Sequence, residues 1–248
     1  EITFASPLES QLNRLNSDSI DFYLFNSLNK DLWENKVLKY DVLSSLKKAQ
    51  AQGKIKYIGF SFHDDLEMFK RIVDAFDWQF CQIQYNYVDI NHQAGTEGLE
   101  YAYSKGISSI VMEPLRGGRL VGELPERVKE VLPKSKSRVE LALDFVWDRE
   151  EVALLLSGMS TPKQVEDNLR YAKRSHVGML TPQQRKALKK ADEVFHTVPL
   201  VGCTGCRYCM PCPFGVDIPG TFSAYNSSVY SGKKNAKQTY ADLSGSAE

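Results

Sequence analysis

Two periodicities alternate along the chain. Residues 20–28, IDFYLFNSL, are a short run of aromatic and branched side chains between polar stretches, the pattern of a buried strand. The same pattern recurs at 54–62 (KIKYIGFSF), 78–86 (WQFCQIQYN), 107–115 (ISSIVMEPL) and 151–158 (EVALLLSG). Between these runs apolar residues return at helical spacing: over 40–52, stopped by Gly53, over 65–76, over 96–105, stopped by Gly106, and over 137–147. A helix over 7–15 precedes the first strand, with Ser6 as N-cap, Pro7 at the first helical position and Glu9 placed to complete a capping box. Helices over 161–172 and from Pro182 to Phe195 follow the last strand.

Five strands, each preceded by a helix and each apolar enough to be covered on both faces, predict an α/β fold with a parallel sheet. A repeated βα unit builds either an open doubly wound sheet or a (β/α)8 barrel, and five strands cannot close the barrel. Residues 1–199 are expected to form this unit and residues 200–248 an appendage. The chain opens on Glu1, and residues 227–248 are polar and poor in pattern, so both ends read as cut.

Charge narrows the function classes. Among 248 residues, 31 basic side chains balance 31 acidic ones, which argues against a nucleic-acid or anionic-membrane surface. No apolar run reaches the roughly 18 to 20 residues of a membrane span, and no secretory leader opens the sequence. A cytoplasmic protein is expected. The cysteines agree, because clustered thiolates survive best in a reducing compartment.

Those cysteines are the most specific chemistry in the chain. CTGCRYCMPCP (203–213) sets Cys203, Cys206, Cys209 and Cys212 at a spacing of three and follows the last with Pro213. Disulfides fit badly, since paired Cα atoms must stand about 4.4 to 6.8 Å apart with aligned Cβ vectors. Structural zinc sites usually take their C-x-x-C pairs from separate knuckles. A C-x2-C-x2-C run suits one face of an iron–sulfur cube, so a 4Fe-4S cluster held by all four cysteines is the preferred reading, with zinc and inert or bridged thiols as alternatives. Cys81, in an apolar run, reads as a structural thiol.

In a βα unit, functional side chains gather at the carboxyl ends of the strands. Those ends carry Asn26; Ser61, Phe62 and His63; Gln82, Tyr85 and Asn86; Met112 and Glu113; and 157–160. Each alone is also an ordinary strand-end residue. In SGMSTPKQVEDNL (157–169), Gly158 and Met159 follow a strand, Ser160 or Thr161 caps a helix, and Gln164 and Asn168 share a face, which offers a phosphate site or simple capping. His63 is expected in a loop or as an N-cap. His92, His176 and His196 are isolated, and Trp33, Trp78 and Trp147 fit core or rim packing.

Taken in order, PLESQLNRL, DSIDFYLFNSL, GKIKYIGFSFHD, CQIQYN, MEPLRGG and SGMSTPKQVEDNL resemble the aldo-keto reductases, and CTGCRYCMPCPFGVDIP resembles their branch with a C-terminal iron–sulfur segment. The resemblance implies a (β/α)8 TIM-barrel fold, of which this chain holds about five β/α units beginning before the fourth strand. It implies NADPH or NADH as cofactor and a small-molecule carbonyl as substrate. Asn26 stands where the family has a histidine that orients the carbonyl. Ser61 and Gln82 would hold the nicotinamide carboxamide, and Met112 would pack on its ring. Glu113, Pro114 and Leu115 would line the pyrophosphate path, with Arg116 or Arg119 offsetting Glu113. Gly158, Met159, Ser160, Gln164, Asp167 and Asn168 would take the adenosine side. The expected function is carbonyl reduction by hydride transfer, or electron transfer between the cluster, the cofactor and a redox partner protein. The alternative is a non-catalytic electron-transfer or binding protein on the same scaffold.

Overall fold

In the computed structural model, which describes residues 5–122, 124–197, 201–203, 207–231 and 233–245, five strands pair in the order in which the chain makes them. They are β1 (Ile20–Leu28), β2 (Ile55–Phe62), β3 (Phe80–Gln84), β4 (Ser108–Met112) and β5 (Val152–Leu155), and every pairing is parallel. A doubly wound sheet reverses its strand order at a switch point, whereas this sheet does not, so the choice left open by the sequence falls to the barrel-type succession.

The chain divides into two compact units that interleave in sequence. The first, residues 1–85, 89–114 and 146–157, holds the sheet and the helices Val42–Ala51, Leu66–Asp74 and Gly95–Ser104. Period-two alternation sorts its strand residues. One face carries Ile58, Phe60, Phe62, Cys81, Ile83 and Val111, all without measurable exposure. Phe60 and Phe62 meet Phe69 of the helix Leu66–Asp74, and the Phe60 ring lies 4.8 Å from Trp78. Trp33 and Trp78 are buried here, and the indole N–H of Trp78 donates to the Ile72 carbonyl at 2.8 Å. Such a layer is a conventional hydrophobic core. On the opposite face Phe22 and Tyr57 stay open to solvent, and the Phe80 ring lies over Gly59, where a Cβ would come within 2.6 Å of it. A glycine in mid-strand is required by that close approach.

The second unit, residues 86–88, 115–145 and 158–248, has its own core of Tyr87, Val88, Leu120, Leu132, Leu141, Leu188 and Phe195, among others. Its helices Pro162–Lys173 and Pro182–His196 both begin with a threonine capping box followed by proline, a strong local start signal. Asp144, with no exposed side-chain surface, accepts from Lys136 at 2.6 Å and from Arg174 at 3.1 Å, so the buried carboxylate is matched.

Several expectations need correction. The first helix begins at Ala5, so Pro7 lies inside its first turn, and the Glu9 carboxylate pairs with Lys54 rather than capping. A three-residue helix capped by Asn29 and a π-helix over Trp33–Leu38 occupy a stretch that showed no regular period. Helices Arg119–Gly122 and Glu126–Val131 lie before Arg138–Trp147. The tail, expected to lack pattern, is helical over Ile218–Ser231 and Lys233–Gly245. Among the described residues no helix is long and apolar enough to cross a membrane.

Candidate active site

The strand ends of the first unit bring together residues distant in sequence. Ser27, at the end of β1, adopts a left-handed φ of 57°, unusual for a residue with a side chain. Its N–H donates to the Ser61 hydroxyl at 2.7 Å. Ser61, 2 % exposed, donates in turn to Asn26 Oδ1 at 3.4 Å, and the Ser27 hydroxyl reaches the same oxygen at 3.3 Å. The Asn26 Oδ1 atom is therefore engaged by protein, while among the described residues its Nδ2 donor has no partner. A carbonyl or carboxamide oxygen can accept from it, but the amide carries no proton that titrates near neutrality.

Gln82 stands on the same face of the sheet, in register with Ser61. Its Nε2 lies 3.5 Å from the Met112 sulfur, and its Oε1 has no partner among the described residues. One unengaged donor and one unengaged acceptor, flanked by a thioether, suit a primary carboxamide, which offers both a carbonyl and an N–H2. The strand ends thus fit the amide end of a nicotinamide. Glu113, immediately after β4, takes a φ of 56°, so the chain leaves this site through a strained turn of the kind that clusters at ligand loops.

His63, expected in a loop or as an N-cap, lies in the loop between β2 and the next helix and does not cap that helix. Asp65, whose side chain accepts from Met68 N–H at 2.9 Å, is the N-cap of the next helix. The His63 N–H extends the β1–β2 pairing to the Leu28 carbonyl at 2.9 Å. Burial holds the imidazole pKa below its ordinary 6.5, opposed by a hydrogen bond with Gln93 and assisted by nearby His92. His92 and Gln93 were missed as neighbours of this site, although the adjacency of β2 and β3 makes the loops after them natural neighbours. Cys81 behaves as a structural thiol: fully buried, it is pushed up to about 12 by burial against the effect of its contact with Ser109.

In the second unit Gly158, Met159 and Ser160 are exposed. Gln164 closes a capping box with Thr161, its Oε1 accepting from the backbone N–H groups of Ser160 at 2.7 Å and Thr161 at 3.1 Å. Asp167 pairs with Lys163 and Arg170. Capping therefore engages the donors that a phosphate would seek at this helix start. Leu115 packs against the second unit's core. Arg116 lies over the Phe195 ring at 5.0 Å, and Arg119 donates through Nη1 to the Cys203 carbonyl.

The cysteine segment hangs on polar contacts. Cys206 lies outside the described residues. Cys203 and Cys212 are half-buried and Cys209 is exposed. Cys209 sits in a turn closed by Met210 N–H to the Arg207 carbonyl at 2.9 Å, with Arg207 at a φ of 62°. Asn226 clamps the segment's entry, donating to the Val201 carbonyl and accepting from the Val201 N–H, both at 2.8 Å. Phe214 is 88 % exposed and Tyr208 66 % exposed, so the segment has little apolar burial of its own. Among the described residues no group of three or more His, Cys, Asp or Glu side chains is placed to hold a metal ion.

Comparisons with known proteins point one way. The sequence pattern described as the aldo/keto reductase family matches residues 5–193. An uncharacterized oxidoreductase of Schizosaccharomyces pombe is 29 % identical over 149 residues, 57 % of this chain and 47 % of that protein. L-galactose dehydrogenase of Arabidopsis thaliana is 25 % identical over 184 residues, 65 % of this chain and 55 % of its own. The chain thus spans about half the length of these curated relatives. The solved structure of an aldo-keto reductase from Bacillus halodurans, in its holo form, shares the fold with a TM-score of 0.64 at 22 % identity, covering 75 % of this chain and 65 % of that one. With the in-order parallel sheet, the populated strand ends and a family pattern running through all five strands, the chain belongs to the aldo/keto reductase family of oxidoreductases.

Proposed function

We propose that the protein is a nicotinamide-dependent carbonyl reductase of the aldo/keto reductase family that also carries a 4Fe-4S cluster on its cysteine segment, able to pass single electrons to a redox partner protein. The observation that carries the cofactor assignment is the unengaged Gln82 acceptor beside Met112, on the same strand-end face as Ser61. When bound, NADPH or NADH supplies the hydride. The chain's own residues then bind and orient. Gln82 aligns the carboxamide, and Met112 packs beside it. Asn26, held by Ser61 and Ser27, donates from Nδ2 to the substrate carbonyl oxygen. For the adenosine half, Gly158, Met159 and Ser160 are the proposed contacts, because Gln164 and Asp167 are engaged in capping and ion pairing.

The cluster assignment rests on the spacing of Cys203, Cys206, Cys209 and Cys212 and on the strap's need for an ordering ligand. Arg119 places a cation at the Cys203 carbonyl, favourable beside an anionic thiolate cluster. One observation favours the second reading, a non-catalytic electron-transfer protein acting with a redox partner protein. Asn26 cannot deliver a proton, and burial lowers the His63 pKa, which disfavours the protonated imidazole.

Anaerobic purification separates the readings. The proposal expects about four iron and four sulfide per chain, bleaching of the visible band on adding dithionite, and oxidation of NADPH or NADH that speeds up when small aldehydes or ketones are supplied. Bleaching without carbonyl-dependent turnover supports the electron-transfer reading. Colourless protein with one zinc and no sulfide removes the cluster.

A further inference from the structure

We propose that a pocket in the second unit, beside the start of the helix Arg138–Trp147, binds a small organic acid with an apolar body ending in a carboxylate or phosphate. The pocket has a volume of about 490 Å³ and is lined by Lys129, Lys134, Lys136 and Arg138, with no acidic side chain among the described residues of its walls. That size is typical of small-molecule sites, which run from about 300 to 1,000 Å³.

Counting the pairs shows where a charge is missing. Lys129 is matched by Glu126 at 2.6 Å, and Lys136 by the buried Asp144 at 2.6 Å. Arg138 and Lys134 have no carboxylate partner among the described residues, so the wall carries excess positive charge. The Arg138 case is the sharper one, because its Nη1 is out of contact with solvent and has no hydrogen-bond partner. That nitrogen is sealed from a ligand as it is from water, so an oxyanion in the pocket would be held by the positive charge of Arg138 and Lys134 rather than by a hydrogen bond to Nη1. The helix start itself adds little, since Ser137 already accepts from the Glu140 N–H at 3.1 Å.

The body of the ligand follows from the other walls. Leu132, part of the second unit's core, lines the pocket together with Val121, Pro133 and Val139. A bare inorganic anion would leave these surfaces unused, and an uncharged hydrocarbon would leave Arg138 unmatched. An amphipathic acid satisfies both. This assignment does not depend on the cofactor site or on the cluster.

Calorimetric titration of the full chain with four probes tests it: octanoate, octyl phosphate, octanol and inorganic phosphate. One or both of the acids should saturate a single site, more weakly as salt is raised, and should bind at least about tenfold better than octanol or inorganic phosphate. Which acid binds better decides between a carboxylate and a phosphate ligand. Lys134→Gln, at an exposed position, and Arg138→Gln should each weaken the better acid by about tenfold, with Arg138→Lys less affected than Arg138→Gln because it keeps the positive charge. Absence of saturable binding by both acids, octanol binding as well as they do, or unchanged affinity in Lys134→Gln overturns the proposal. Using Lys134→Gln keeps the test valid if Arg138→Gln fails to fold.

Discussion

The two faces of the sheet are made from alternate residues of the same strands and end in opposite circumstances. Ile58, Phe60, Phe62, Cys81 and Ile83 are sealed, whereas Phe22 is 60 % exposed, Tyr57 37 % and Leu154 51 %. The polar residues singled out at the strand ends, Asn26, Ser61 and Gln82, all belong to the second set. Stability and chemistry are thus separated by a period of two: the covered face contributes apolar burial, and the other presents hydrogen-bonding groups that the protein leaves partly unengaged.

Substitutions on the two faces should therefore differ in kind. Phe60→Ala removes a ring packed against Phe69 and Trp78 and should cost about 3 to 5 kcal/mol in chemical denaturation, enough to threaten folding. A smaller effect belongs to His63, at the rim between the faces. Its folded pKa lies below the unfolded value of 6.5, so the stability it contributes is fully present above that pH and is lost as pH falls toward the folded value. His63→Gln should flatten the decline in stability of the wild type as pH drops below 6.5 and leave stability at pH 8 little changed. Phe22→Ser, on the open face, should shift stability by no more than about 0.5 kcal/mol. If Phe22→Ser proves as damaging as Phe60→Ala, the distinction between the faces is wrong.

Much of this architecture is legible in the sequence because burial on the covered face forces continuous apolar runs. All five strands and the helices over Leu66–Asp74, Gly95–Ser104, Pro162–Lys173 and Pro182–His196 follow from period and caps. The segments that escape detection lack such a signal. Trp33–Leu38 winds as a π-helix, whose period does not match the helical template, and Lys233–Gly245 is polar along most of its length. At the site, spacing exposes Asn26, Ser61 and Gln82 because strand ends converge in any βα unit. The contact between His63 and Gln93 depends on tertiary placement, as does the pairing of Glu9 with Lys54. Gln164 illustrates the opposite limit: a residue type suited to ligand binding is engaged by its own helix, as the T-P-x-Q start already allows.

The most direct test of the central claim is a titration of the purified protein with NADPH and with NADH, followed by intrinsic fluorescence, for wild type and Gln82→Ala. Saturable binding of at least one cofactor is expected, weakened by about 1 to 3 kcal/mol in the variant, as when a buried hydrogen-bonding partner is removed. Equal affinity in the two proteins, or no binding of either cofactor to the wild type, would contradict the assignment of the open strand ends as the nicotinamide site.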